Sequence, residues 1–355
     1  MSALPDWPRA APPLALSGVY KASPEDFEVR ECLPFTPGEP PGGGEHVYLL
    51  VRKRGLNTLA VQEALARHAG VPRHGVGYAG LKDSRALTWQ WFSVHLPGAA
   101  EPDWAPLCGE RLAIESSCRH PRKLQVGAHR GNAFRVVLRQ LRGDLEALPE
   151  RLQWLAAQGF PNYFGEQRFG RGGSNLERPD SFGAVRRGRL SNRQKLQLSA
   201  FRALLFNAVL ARRVADGSWR RALAGDLMNL DGSQSLFGPV GGDDDLGARL
   251  DALDIHPTGP LPGAAPSRAA AAALALEAAA LDEYPQLLAA IARSGASPAR
   301  RALRARAEKL QWKFLDAESL QLEFSLARGS YATVLLRELG SLTAAGSRES
   351  NDQRD

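Results

Sequence analysis

The chain has 355 residues, 44% hydrophobic and 23% charged, an ordinary balance for a soluble globular protein and enough for two domains with cores of their own. Its formal net charge of +7 points to a polyanionic partner, nucleic acid ahead of an anionic membrane, although an arginine-rich proteome would by itself supply part of that charge. Three cysteines (Cys32, Cys108 and Cys118) without a CxxC pair argue against a disulfide framework or a zinc site, and seven histidines without ligand spacing predict no metal. Met1–Pro8 lacks the basic start and apolar run of an export signal. The longest apolar stretch, Ala269–Leu276, is too short to span a bilayer, so the expected setting is a reducing cytoplasm.

The first twenty residues are rich in proline and alanine and read as an extended arm. Asp26–Glu31 alternates as a strand does, and Pro34–Gly44 is a Gly/Pro loop. His46–Lys53 reads as a buried strand with a charged exit. Thr58–His68 predicts a helix capped by Asn57 or Thr58, with Leu59, Gln62, Leu65 and Ala66 at helical spacing. A strand follows the turn around Asp83, Asn132–Arg139 is another, and Asp144–Gln158 reads as a helix. From about Gly159 to Leu303 strand signals fade, and Arg193–Ala215 and Pro266–Arg293 read as helices. Ser319–Leu326 alternates cleanly, Tyr331–Leu339 reads as a terminal helix, and the polar tail after it is expected to be disordered. This order, mixed α/β, then mostly helical, then β again, predicts a domain inserted in a host whose sheet is completed by the last strand.

Gly77–Val94 carries the most chemistry. Asp83 sits in a Gly-flanked turn, with Lys82 before it, Arg85 after it and the aromatic stretch Thr88–Val94 beyond. Neighbouring cations keep a carboxylate ionised and a turn fixes its direction, which suits a nucleophile or base, although Asp is also a common turn residue. Basic residues cluster at 119–139, 166–195 and 293–313, with Phe134, Phe160, Tyr163, Phe164 and Phe169 interleaved. Phosphate contacts with stacking platforms are what RNA needs, and solvated helix faces are the plain alternative. Phe160–Gly170 crowds aromatics, Asn162, Gln167 and Arg168 between glycines, as an aromatic hinge or a ligand-bearing border. Gly42–Gly44 lacks the GK[ST] ending of a phosphate loop, Gly75–Gly80 resembles GxGxxG without opening a helix, and Asp243–Asp245 reads as an acidic surface loop.

Five segments in this order and spacing resemble one family: Lys21–Phe27, Tyr78–Asp83, Gly131–Phe134, Pro161–Gly170 and Arg328–Thr333. The family is tRNA pseudouridine synthase D, the TruD type, and the resemblance spans about residues 15–340. It implies an α+β fold: a pseudouridine synthase catalytic domain around a mixed, mainly antiparallel sheet, with an inserted helical-rich α/β domain. The corresponding boundaries are 1–157 plus 306–345 for the catalytic domain, 158–305 for the insertion and 346–355 for the tail. The implied reaction is isomerisation of uridine to pseudouridine in tRNA, at uridine 13, without cofactor or metal. The implied partner is tRNA, for a monomer that needs no membrane and no obligatory protein partner.

The family's catalytic aspartate falls on Asp83, its N-terminal lysine on Lys21, and its substrate-pocket positions on Phe27, Asn132 and Tyr331. Tyr331 departs from the family's usual Phe, keeping the ring and adding a hydroxyl. The residue chemistry agrees. A carboxylate nucleophile can hold one fragment while the base turns, and a nearby cation (Lys21 first, Lys82 or Arg85 next) should keep it ionised. Phe27, Phe134 and Tyr331 are stacking candidates, and Asn132 offers both a donor and an acceptor to uracil or ribose. Two other readings share parts of this pattern. A non-catalytic tRNA-binding or RNA-folding protein would use the basic clusters without needing Asp83, and a nucleotide-binding metabolic enzyme would use the Gly75–Gly80 loop.

Overall fold

The computed structural model describes residues 4–38, 43–177, 190–242 and 245–346. Arg178, Arg186, Arg187 and Arg189 of the second basic cluster, Gly42, Asp243 and Asp244, and the tail from Ser347 onward lie outside the described residues. The chain divides into two units. One takes Ala15–Leu148, Glu308–Arg328 and the chain from Gly340 on; the other takes the chain up to Leu14, Pro149–Ala307 and Gly329–Leu339.

In the first unit, alternation drives ten strands among the described residues into one mixed sheet. Its main order is Glu308–Asp316, Ser319–Ala327, Gly131–Gly143, Phe27–Cys32, Leu87–His95, His46–Arg54 and Leu112–His120. Most neighbours are antiparallel; Phe27–Cys32 runs parallel to Leu87–His95, and Leu16–Tyr20 parallel to Ser341–Ala344. Thr58–His68 packs Val61, Leu65 and Ala66 onto Val47, Leu49, Val51, Phe92 and Val94 of the sheet. Its first turn is capped by Asn57, whose side chain accepts from Ala60 N at 2.7 Å.

Five strands of this unit escape the sequence pattern, the short Val76–Tyr78 among them. Leu16–Tyr20, expected as part of an arm, pairs antiparallel with Gly131–Gly143. Glu308–Asp316 is largely exposed and Leu112–His120 and Ser341–Ala344 are half-buried at most positions, so none shows a clean apolar alternation. Pairing makes them strands: Leu112–His120 and Ser341–Ala344 join segments far away in the chain, and Glu308–Asp316 folds back as a hairpin on Ser319–Ala327.

The second unit is built on Asn192–Ala215, whose cap Ser191 forms a capping box with Gln194. Against it lies a sheet ordered Leu236–Phe237, Met228–Leu230, Ile255–Leu261 and Ala299–Ala302. Helices make up more of this segment than strands do, and the sheet beside them is what the fading strand signals concealed. Ile255–Leu261 carries Pro257 and Pro260, which erase a strand signal, yet six of its seven residues are buried. The helix expected over Pro266–Arg293 is two helices, Ala271–Leu281 and Pro285–Arg293, because Pro285 cannot continue the first and begins the second. The terminal helix is Ala332–Arg337, preceded by Tyr331 at its cap. No helix among the described residues is long and apolar enough to cross a membrane.

Asn207, fully buried in the long helix, behaves as a strand partner for Phe164. Its Oδ1 accepts from Phe164 N at 2.8 Å and its Nδ2 donates to Phe164 O at 3.1 Å. Asn207→Leu strands both backbone groups and should lower unfolding stability by about 2–4 kcal/mol in urea titration.

Candidate active site

Lys21 reaches Asp83 from a strained turn. Leu16–Tyr20 and Phe27–Cys32 pair with successive stretches of the same strand, Gly131–Gly143. Lys21 lies in the short link between them, with φ at +58°, a left-handed value that a non-glycine residue holds only under constraint. From there its Nζ donates to Asp83 Oδ2 and lies 4.2 Å from the centre of the Phe27 ring.

Asp83 sits on the loop between Val76–Tyr78 and Leu87–His95. The loop is tied down at almost every residue. Gly127 N donates to Ala79 O at 2.6 Å, Gln90 Nε2 to Gly80 O at 2.6 Å, and Lys82 N to Thr58 Oγ1 at 2.9 Å. Arg85 N donates to Asp83 Oδ1 at 2.8 Å. The Asp83 side chain stays 34% exposed. Burial alone would raise its pKa. The charge and hydrogen bond of Lys21, the Arg85 N–H and the charge of Lys53 outweigh that, and the net direction is down from 3.8.

The runner-up cations are occupied elsewhere. Lys82 donates to Glu31, and both side chains are buried. Burial keeps the Glu31 pKa raised despite that lysine. The Arg85 guanidinium donates to Ala345 O, so Arg85 serves Asp83 only through its main chain.

Phe27, Phe134, Glu31 and Asn132 share one face of the sheet. Phe27 is opposite Val136, Val29 opposite Phe134, and Glu31 opposite Asn132. Phe134 meets Phe27 edge-on at 6.0 Å and stacks on Phe324 at 5.3 Å. Phe27 is 4% exposed and forms a packed wall beneath Lys21. Asn132 Oδ1 is buried without a hydrogen-bond partner. Thus Asp83, Lys21, Phe27 and Phe134 form a chain of direct contacts, with Asn132 beside them on the same face. Tyr331 belongs to the other unit, where its ring packs edge-on against Phe164 at 6.2 Å.

Two groups here escaped sequence reasoning. Lys53, expected at a charged strand exit, is fully buried, because alternation turns Arg52 and Arg54 outward and Lys53 inward. That period-two pattern was the available signal. His129 has a buried Nδ1 without a partner, and burial first, then the charges of Lys82 and Arg328, pull its pKa down to about 4. The third basic cluster is corrected in part. Arg300 pairs with Glu277, Arg301 donates to Asn162 and Gly329, and Arg304 donates to His256 Nδ1 and two carbonyls, so these three serve as scaffold.

A family model described as tRNA pseudouridine synthase D (TruD) matches residues 14–177 and 174–339. The chain belongs to the TruD family of tRNA pseudouridine synthases. A TruD of Xanthomonas euvesicatoria pv. vesicatoria is 47% identical, covering 96% of this chain and 95% of the relative. One of Pseudomonas putida is 46% identical, covering 97% of each. A TruD-type structure from Methanosarcina mazei superposes with a TM-score of 0.69 over 95% of both chains at 21% identity, which is a likeness of fold. TruD membership makes the chain an isomerase of tRNA, and the described mixed sheet with its packed helices is the family's α+β architecture.

The Asp83 shift carries a linkage. Its folded pKa is depressed, so its contribution to stability is present above 3.8 and is lost as pH falls through the folded value. Lys21→Met removes the main opposing charge and should raise the Asp83 carboxyl pKa, read by carbon-13 NMR titration of labelled Asp.

Proposed function

We propose that this TruD converts uridine 13 of tRNA to pseudouridine with Asp83 as nucleophile and without a cofactor. The observation that carries the reading is the Asp83–Lys21 ion pair, which joins two of the family's motif segments on a tightly held loop. The reaction breaks N1–C1′ and forms C5–C1′, with one proton leaving C5 and one gained at N1. No electrons are exchanged, so no redox partner is required. An ionised carboxylate can form the covalent intermediate that holds one fragment while the base turns, and Lys21 keeps it ionised.

The neighbouring residues supply recognition. The unpartnered Asn132 Oδ1 can accept from uracil N3–H or a ribose hydroxyl. Phe134 and Tyr331 are the stacking rings, and Phe27 backs the first of them. Extruding a uridine from folded tRNA costs a few kcal/mol, and each stacked base recovers about 1–3 kcal/mol. In this reading residues 1–157 and 306–345 are the catalytic domain and 158–305 the family-specific insertion, bounds drawn on the family motifs and not on the packing units, which group the chain up to Leu14 and Gly329–Leu339 with Pro149–Ala307, and the enzyme acts as a cytoplasmic monomer.

Unmodified tRNA incubated with the enzyme, then mapped by carbodiimide-stop primer extension, should show a new stop reporting position 13. Asp83→Asn should abolish it while tRNA affinity stays within a few-fold; retained turnover in that variant overturns the nucleophile. Wild-type protein that binds competent tRNA tightly yet produces no stop overturns the whole assignment in favour of RNA binding alone. Tyr331→Phe should stay near the wild-type rate, and Tyr331→Ala should lose roughly tenfold or more in kcat/KM, the loss of one stacking contact.

A further inference from the structure

A second lysine stands behind Asp83 and has no carboxylate to itself. Lys53 is 0% exposed. Its Nζ donates to Leu56 O at 2.7 Å and to the main-chain O of Asp83 at 3.2 Å. Leu56 leads into the helix Thr58–His68, and Asp83 lies on the loop beyond it, so one ammonium ties two otherwise separate turns together. Burying a charged amine against two carbonyls is costly, and a methionine would fill the same space more cheaply if packing were the only need.

In register across the sheet, Lys53 faces Thr88 on one side and Leu112 on the other. The charged groups that act on it are Asp83 and Lys82, both from the loop. Lys82 is paired with Glu31, and the Asp83 carboxylate is held by Lys21.

We propose that Lys53 is a positioning residue for the isomerisation: its buried ammonium clamps the main chain of Asp83 and so fixes the direction in which the carboxylate points. The inference rests on the reading of Asp83 as nucleophile. Three donors then hold one residue from three sides, Lys21 at Oδ2, the Arg85 N–H at Oδ1 and Lys53 at the peptide carbonyl. Misdirecting a nucleophile by a fraction of an ångström lowers the rate without weakening substrate binding, which separates this role from a binding role.

The geometry also gives a pH signature. Burial pulls the Lys53 pKa down to about 8, with Asp83 opposing the shift and Lys82 adding to it. Below that pH the ammonium makes charge-assisted bonds to both carbonyls; above it the neutral amine makes weaker ones. The clamp is therefore strongest at neutral pH and loosens as pH rises through about 8.

The test measures single-turnover rate, tRNA affinity and thermal unfolding for wild type, Lys53→Met and Asp83→Asn, across neutral to alkaline pH. The expected result is a wild-type rate that declines as pH rises through about 8 at constant tRNA affinity. Lys53→Met should fold, bind tRNA within about two-fold of wild type, turn over roughly tenfold or more slowly, and lack that alkaline decline. A folded Lys53→Met enzyme with the wild-type rate overturns the proposal. If Lys53→Met does not fold, Lys53→Gln, which keeps a neutral donor for the two carbonyls that Lys53 bonds, takes its place, and a folded variant with the wild-type rate overturns the clamp. Activity in Asp83→Asn overturns the nucleophile reading itself, whereas an inactive Asp83→Asn beside a wild-type-like Lys53→Met overturns only the role of Lys53.

Discussion

The ionised state of Asp83 is the constraint around which the first unit is arranged. A carboxylate taken partly out of water tends to pick up a proton, and here a set of donors prevents it. None of those donors comes from the same stretch of sheet. Lys21 arrives from a strained link, Lys53 from the inner face of a strand, and the Arg85 N–H from the loop itself. The neighbouring Lys82 is withdrawn into a buried pair with Glu31, which anchors the loop on the Asn132 side without competing for Asp83. Because Asp83 keeps about a third of its side chain exposed, the arrangement leaves it open to a substrate as well as ionised.

Strand Gly131–Gly143 connects this electrostatics to the packing. It accepts Ser319–Ala327 on one side and both Phe27–Cys32 and Leu16–Tyr20 on the other. The link that carries Lys21 is stretched between those last two partners, so its strain is set by pairing on the strand. Gly131 opens it where a Cβ would collide with the carbonyl oxygen of Leu326. One residue later Asn132 turns into the site, and Phe134 follows on the same face.

The second unit uses arginine as internal structure. Arg213 and Asp226 form a fully buried pair, Arg304 bridges His256 and two carbonyls, and Arg301 stacks over Phe164 at 4.2 Å while donating to Asn162 and Gly329. The Arg301 bonds join the Pro161–Gly170 motif to the segment that leads into Tyr331. A count of basic residues overstates the surface available to a polyanion, since guanidinium groups also satisfy buried carbonyls. The aromatic crowding of Phe160–Gly170 likewise resolves into packing, with Tyr163, Phe164 and Phe169 buried and Phe164 N and O both bonded to Asn207.

Local pattern was enough for what depends on neighbours in sequence. The alternation of Phe27–Cys32, His46–Arg54 and Ser319–Ala327, the helical spacing and Asn57 cap of Thr58–His68, and the Gly-flanked turn around Asp83 all follow from residue order. The five family motifs also point to the candidate residues. Edge strands such as Leu112–His120 and the proline-bearing Ile255–Leu261 were not legible, because pairing with distant segments makes them strands. The same limit applied to the cations. Sequence could set Lys21, Lys82 and Arg85 near Asp83 as alternatives, but only the folded chain decides that Lys21 takes the carboxylate, Lys82 takes Glu31, and the overlooked Lys53 takes the peptide behind it. Charge pairing depends on distance in space and on burial, and both are properties of the tertiary structure.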